Sequence, residues 1–226
     1  MNLQILFTAG LAALVTAMPS GTSSNWKQGQ NLTTRGEQTV RIVVGGISQI
    51  VGPLEDGPLY GAIYTALDSL CPQGSSHCKL QTEGQAEVNI RFKSPQDILT
   101  APMAVRIERS NHETEQIRRL LIGTVTGSVE AMVTESNKMD DKNCKEIWLG
   151  PKFQSGYFKS CTISNYIGVT TTDRVNIMDV HFLSVDDHGK WDCPGTIDSI
   201  QDKAKSLQDE YGQALGGPVT LETACI

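Results

Sequence analysis

Five residues in the C-terminal third carry the side chains best suited to proton transfer: Asp179, His181, Asp186, Asp187 and His188. Residues two apart share a face of a β-strand, so Asp179 and His181 are placed to form a carboxylate–imidazole pair for general acid–base work. With Glu130 and an arginine such as Arg106 or Arg174, they would supply the base, the acid and the phosphate-holding cation of a secreted ribonuclease or another hydrolase. The competing account is plainer. Asp186-Asp187-His188-Gly189 is ordinary turn composition, and a strand histidine more often packs or faces water than reacts. Residue types without a spacing signature do not define a chemistry. The chain is therefore expected to be non-enzymatic, with His181, Asp179 and Glu130 as its catalytic candidates if it is not.

Other catalytic patterns fail on particular residues. His112-Glu113-Thr114-Glu115-Gln116 follows the zincin helix motif for four residues. Gln116 then stands where the second imidazole would have to share the helix face. No Gly-x-Ser-x-Gly elbow, phosphate loop or dinucleotide fingerprint occurs. Neither a metal nor an organic cofactor is expected. The net charge of −6 and the lack of any basic block speak against a nucleic-acid partner, because phosphate backbones are held by clustered Lys and Arg.

The chain opens with an apolar run, MNLQILFTAGLAALVTA, closed by the small residues Val15-Thr16-Ala17. Residues 1–17 are expected to be a signal peptide cut after Ala17, with an uncleaved anchor as the alternative. No later stretch is apolar and long enough for a membrane helix. Residues 18–39 are polar, poor in large apolar side chains and expected to be disordered. They hold the one glycosylation sequon, at Asn31, followed by Arg35, where a pro-segment would be cut if the tail is not simply left in place.

All six cysteines lie beyond this segment. An even number in an exported chain indicates disulfides rather than zinc, and no Cys-x-x-Cys is present. Six cysteines allow 15 connectivities, among which spacing does not choose. Pairing neighbours gives the working set Cys71–Cys78, Cys144–Cys161 and Cys193–Cys225.

Residues 40–226 are long enough for one domain with one sizeable core. The stretch from Ser155 to Cys193 is predicted to be a long antiparallel hairpin turning at Thr171–Asp173. Tyr157, Cys161, Ile163, Ile167 and Val169 share one face of its first arm, and its return arm slips phase, from a bulge or from being covered on both sides. Further strands are predicted over Val40–Val51, interrupted by a bulge or turn at Gly45-Gly46, over Glu87–Lys93 and over Met103–Ile107. Pro95 and Pro102 should keep the segment between them out of a sheet interior. Helices are predicted at Pro58–Leu70, at Asn111–Leu121 capped by Asn111, and at Thr196–Leu215, with β character returning over Ile122–Thr134. The fold class is α+β: antiparallel sheet with two or three packing helices, stapled by disulfides.

This organisation, a leader ending in small residues, a polar segment ending at Arg35 and a compact six-cysteine body, resembles the small secreted candidate effectors of plant-associated filamentous fungi. The resemblance implies an extracellular, non-enzymatic, monomeric virulence-type glycoprotein that binds a host protein or other host component. A protease inhibitor is the remaining expectation, presenting the Cys71–Cys78 loop or the Gly45-Gly46 turn. Trp148, Tyr157, Phe158, Tyr166 and Trp191 are the candidates for an aromatic recognition patch.

Overall fold

A computed structural model describes residues 36–52, 59–93, 97–134, 143–148, 157–184 and 187–226. The expected signal peptide with Ala17, the sequon at Asn31, Arg35 and Asp186 lie outside the described residues.

The chain forms an α+β fold, with two sheets and four helices among the described residues. In order the elements are β1 (Gln38–Val44), β2 (Ile47–Val51), α1 (Leu59–Leu70), β3 (Ala86–Lys93), β4 (Ile98–Asn111), α2 (Glu115–Thr134), β5 (Cys144–Trp148), β6 (Tyr157–Ser164), β7 (Tyr166–Thr171), β8 (Ile177–Leu183), β9 (Asp187–Lys190), α3 (Ile197–Lys205), α4 (Gln208–Leu215) and β10 (Val219–Cys225). The larger sheet runs β10-β1-β7-β8-β4-β3 and the smaller one β5-β6-β2-β9. Every pairing is antiparallel except that of β1 with β10.

Strand alternation divides the larger sheet into two unlike faces. Ile42, Val44, Val105, Ile107, Ile167, Val169, Met178, Val180 and Phe182 are all buried on the inner face. There they join one core with Ile63 and Leu67 of α1, Leu121 and Val125 of α2, and Ile200 and Tyr211 of the C-terminal helices. The helices cover this face in order: α1 packs on β3 and β4, α2 on β7 and β8, and α3 and α4 on β10. Among the described residues no helix lies over the outer face, where Arg41, Asn89, Arg109, Leu183 and Glu222 are exposed.

The predicted long hairpin is corrected in its connectivity. Only β7 and β8 pair with each other. Beyond them the two arms separate into the smaller sheet, and β2 inserts between β6 and β9. The chain thus changes sheet at Gly45-Gly46, at Asn165 and near Ser184. The crossings are tied together: Asn165 donates to the Ile47 carbonyl, Phe182 donates to that of Asn165, and the Ser184 amide donates to Gln49 Oε1, each at 2.8 Å. At Gly45 a side chain would force its neighbours to move, since a Cβ would stand 2.8 Å from Asn165 Oδ1 and 2.9 Å from Tyr166 Cβ. Asp187 to Gly189, expected as a turn, begins strand β9 instead.

Four further expectations change. Ile122–Thr134 is helical, so α2 is a single 20-residue helix. Its alternating β-branched pattern comes from burial on most sides, and Thr124, Thr126 and Ser128 return their hydroxyls to carbonyls four residues back, which lets polar residues sit in a buried helix. Its cap is Thr114, whose hydroxyl accepts the Ile117 amide at 3.2 Å, whereas Asn111 ends β4 and donates to Val175 O. The predicted C-terminal helix breaks at Ser206-Leu207 into α3 and α4, ending at Gly216 in the left-handed conformation with φ 74°. Pro102 lies inside β4, opposite Asn89. It is tolerated there because β8 joins β4 only from Ala104 onward, which leaves one side of the strand open.

The six cysteines form Cys71–Cys78, Cys144–Cys161 and Cys193–Cys225. The last ties β10 to the segment before α3. The first closes a loop that His112 fastens to the body: its amide donates to Ser76 O at 2.8 Å and its ring to Ser75 O at 2.7 Å.

Candidate functional site on the open sheet face

The acid–base candidates lie at the centre of the outer face, on β8 and its neighbours β7 and β4. Asp179 and His181 do share a face, as their spacing predicts, but they do not pair with each other. Each has its own partner on β4, and both lie against Tyr166 of β7.

Asp179 is 2% exposed even though no helix among the described residues covers its face. Two groups enclose it. Arg109, opposite it on β4, donates a short charge-assisted bond from Nε to its Oδ2. Tyr166 reaches along β7 and sets its hydroxyl beside the same carboxylate and the Arg109 guanidinium, close enough for each to act on the others' protonation. Gly168 makes this possible, because a Cβ there would lie 2.5 Å from the Tyr166 hydroxyl and 2.8 Å from Asp179 Oδ1. Burial, reinforced by the Asp179 charge, pushes the Tyr166 phenol up to about 12. The bond to Asp179 raises the Arg109 guanidinium above its ordinary value. The phenol and the guanidinium therefore stay protonated through the physiological range.

His181 packs its ring against Tyr166, with centroids 5.0 Å apart and planes tilted by 52°, and donates from Nε2 to Glu108 Oε2 at 2.9 Å. Beside it Arg106 donates to Gln85 Oε1 at 2.7 Å. A register shift between Ile107 and Arg109 makes Glu108 the extra residue of a bulge. The bulge brings Arg106, Glu108 and Arg109 to one face, where strict alternation would have sent Arg109 inward. The irregularity expected in the return arm thus belongs to β4.

The other candidates do not converge here. Glu130 lies on α2, on the opposite side of the sheet, in an ion pair with Lys203 at 2.6 Å. Arg174 stands exposed in the β7–β8 turn with φ 57°. The side chains of Asp187 and His188 lie outside the described residues. Of the aromatic candidates, Phe158 and Trp191 are core, Trp148 is exposed on the edge strand β5, and Tyr166 works within the polar network; the Tyr157 side chain is outside the described residues. Sequence reasoning missed Glu108 and Arg109, and it offered Tyr166 for an aromatic recognition patch and not for a polar network. The one available signal was Arg109 falling out of phase with the alternation Met103, Val105, Ile107.

Among the described residues no cluster of three or more His, Cys, Asp or Glu could hold a metal ion, and no helix is long and apolar enough to cross a membrane. Compared with protein-family models, curated proteins and solved structures, the chain matches none.

Proposed function

We propose that the protein is a secreted, non-enzymatic effector-type binder that engages a host component through the outer face of its larger sheet. The observation that carries this reading is the Asp179 network: a buried carboxylate, paired with Arg109 and flanked by the Tyr166 hydroxyl, on a face that no helix covers among the described residues. A buried charge is costly unless paired and hydrogen-bonded. Here it fixes the directions of Arg109, Tyr166 and His181, so that a partner meets a surface whose side chains need little further ordering. Around this centre Arg106, His181 and Leu183 offer donors and an apolar contact of the kind that anchors an interface.

The test is capture of partners from host extract by the wild type and by a variant carrying Arg106→Glu, His181→Glu and Leu183→Asp, with recovered proteins quantified by mass spectrometry. Specific partners should be lost with the variant. Equal recovery would sink the assignment of this face.

A hydrolase, most naturally a ribonuclease, is the second reading, favoured by the His181–Glu108 pair beside Arg106 and Arg109. Both members are accessible, with side chains 32% and 47% exposed, so a substrate could reach them. It predicts turnover of RNA or another ester that disappears in His181→Ala, and a turnover unchanged by that substitution excludes it.

A further inference from the structure

The helical side of the molecule holds a second candidate site, unrelated to the open sheet face. Two hollows of about 390 and 520 Å³ share Tyr60, Gly123 and Leu207 and so form one groove across α2, between α1 and the α3–α4 pair. Its volume is in the range that ligand sites occupy. Gly123 and Gly127, one turn apart on α2, lower its floor, and the Leu207 side chain and the Lys203 stem rest against them. One wall is aromatic: Tyr60 and Tyr64 of α1 stack with centroids 6.1 Å apart and planes 22° from parallel. At one end Lys203 pairs with Glu130 at 2.6 Å, and at the other Arg119 pairs with Glu115 at 3.0 Å.

This combination is selective about chemistry. Three carboxylates and two cations line the groove, leaving a slight negative charge that discourages phosphates, sulfates and other anions. A wholly apolar ligand would strip water from those charged groups and give them no polar contact in return. A compact cation is best held by rings that surround it, whereas these two lie nearly parallel along one wall. What fits is a ligand with flat C–H faces and a rim of hydroxyls. Its faces would rest on the tyrosines, and its hydroxyls would donate to Glu115 and Glu130 and accept from Arg119 and Lys203. We propose that the groove binds a neutral oligosaccharide, with successive sugar rings lying along Tyr60 and Tyr64.

The experiment is an NMR titration of the purified protein with neutral hexasaccharides of glucose, N-acetylglucosamine, xylose and mannose, alongside a hexasaccharide of galacturonic acid. At least one neutral sugar is expected to give saturable shifts of α1 and α2 amides, and the acidic one to bind at least tenfold more weakly. Tyr60→Ser should weaken the neutral sugar at least tenfold. Lys203→Glu, at a half-exposed position where misfolding is not at issue, should weaken it severalfold, and His181→Ala on the other face should leave it unchanged. Absence of saturable shifts with every neutral sugar, tighter binding of the acidic one, or full binding retained in both groove variants would each overturn the proposal.

Discussion

The two faces of the molecule each contain an arginine held by carboxylate, and the two arrangements are mirror images in burial. On the helical side Arg118 is the buried member, 1% exposed, while its partners Asp68 and Glu115 are 43% and 38% exposed. On the open sheet face Asp179 is buried and its partner Arg109 is 64% exposed. A charge left behind in water relaxes, and a charge left behind in the interior does not. Either system should therefore tolerate loss of its buried member better than loss of the exposed groups that compensate it. Function can draw on that asymmetry only at the sheet face, where the compensating cation is also the group a partner would meet.

The sharpest way to break the comparison is to strand Arg118. Removing both carboxylates, with Asp68→Ala and Glu115→Ala, leaves its guanidinium with only the Cys71 carbonyl among the bonds described, at 2.9 Å. The expected loss is about 3–5 kcal/mol in urea unfolding, larger than for Arg118→Met, which leaves the carboxylates to water. Arg109→Ala comes next, at about 2–3 kcal/mol, because Asp179 keeps the Tyr166 hydroxyl but loses its cation. Asp179→Asn should cost about 1 kcal/mol or less, since the freed Arg109 is already solvated. If Asp179→Asn proves worse than Arg109→Ala, the burial argument fails for this face.

Gly168→Ala probes the same network by geometry alone. The added methyl has to displace the Tyr166 hydroxyl, at a cost of about 1–3 kcal/mol. Once moved toward water and away from Asp179, that phenol should titrate nearer its ordinary value of 10.0 than the present 12 or so, as followed by ultraviolet difference absorbance. An unchanged titration would mean that Tyr166 does not need the space above Gly168.

Much of this architecture is legible in the sequence because local pattern and tertiary burial agree there. In α1, Ile63, Ala66, Leu67 and Leu70 show helical spacing and are the buried residues. In β3, Val88 and Ile90 alternate as a one-sided strand should, and both are buried. Legibility ends where a residue's surroundings are set by distant partners. The second half of α2 alternates like a strand because it is enclosed by α1, α3 and the sheets, so hydrophobicity no longer marks one side. The departure of β6 and β9 into a second sheet depends on β2 arriving between them, and nothing within Ser155–Cys193 encodes that. The site follows the same rule. The shared face of Asp179 and His181 is a local consequence of period two, whereas Glu108 and Arg109 reach them through a bulge defined only by the pairing of β4 with β8.

The smallest expected effect comes from His112, which lies on neither charged network and is the contrast that shows what an uncompensated site does. It is 2% exposed, its ring donates to Ser75 O, and Nδ1 has no hydrogen-bond partner among the described residues. Burial lowers its pKa below the ordinary 6.5, with the nearby Arg118 adding to the shift. The unfolded chain therefore takes up a proton near pH 6.5 that the folded chain refuses until lower pH. The stability linked to His112 is complete above 6.5 and declines as pH falls from there toward the depressed folded value. Glu115 also has a lowered pKa, caused first by its bond to Arg118, and its contribution is lost only as pH falls below about 4.5. The two windows are separable in urea unfolding between pH 7 and 3. His112→Gln, whose amide can still donate to Ser75 O, should flatten the upper window and leave the lower one in place. A wild-type stability that is already flat from pH 6.5 down to 5 would show that the Cys71–Cys78 loop opens to hydrate this ring and does not rely on it as a closed anchor.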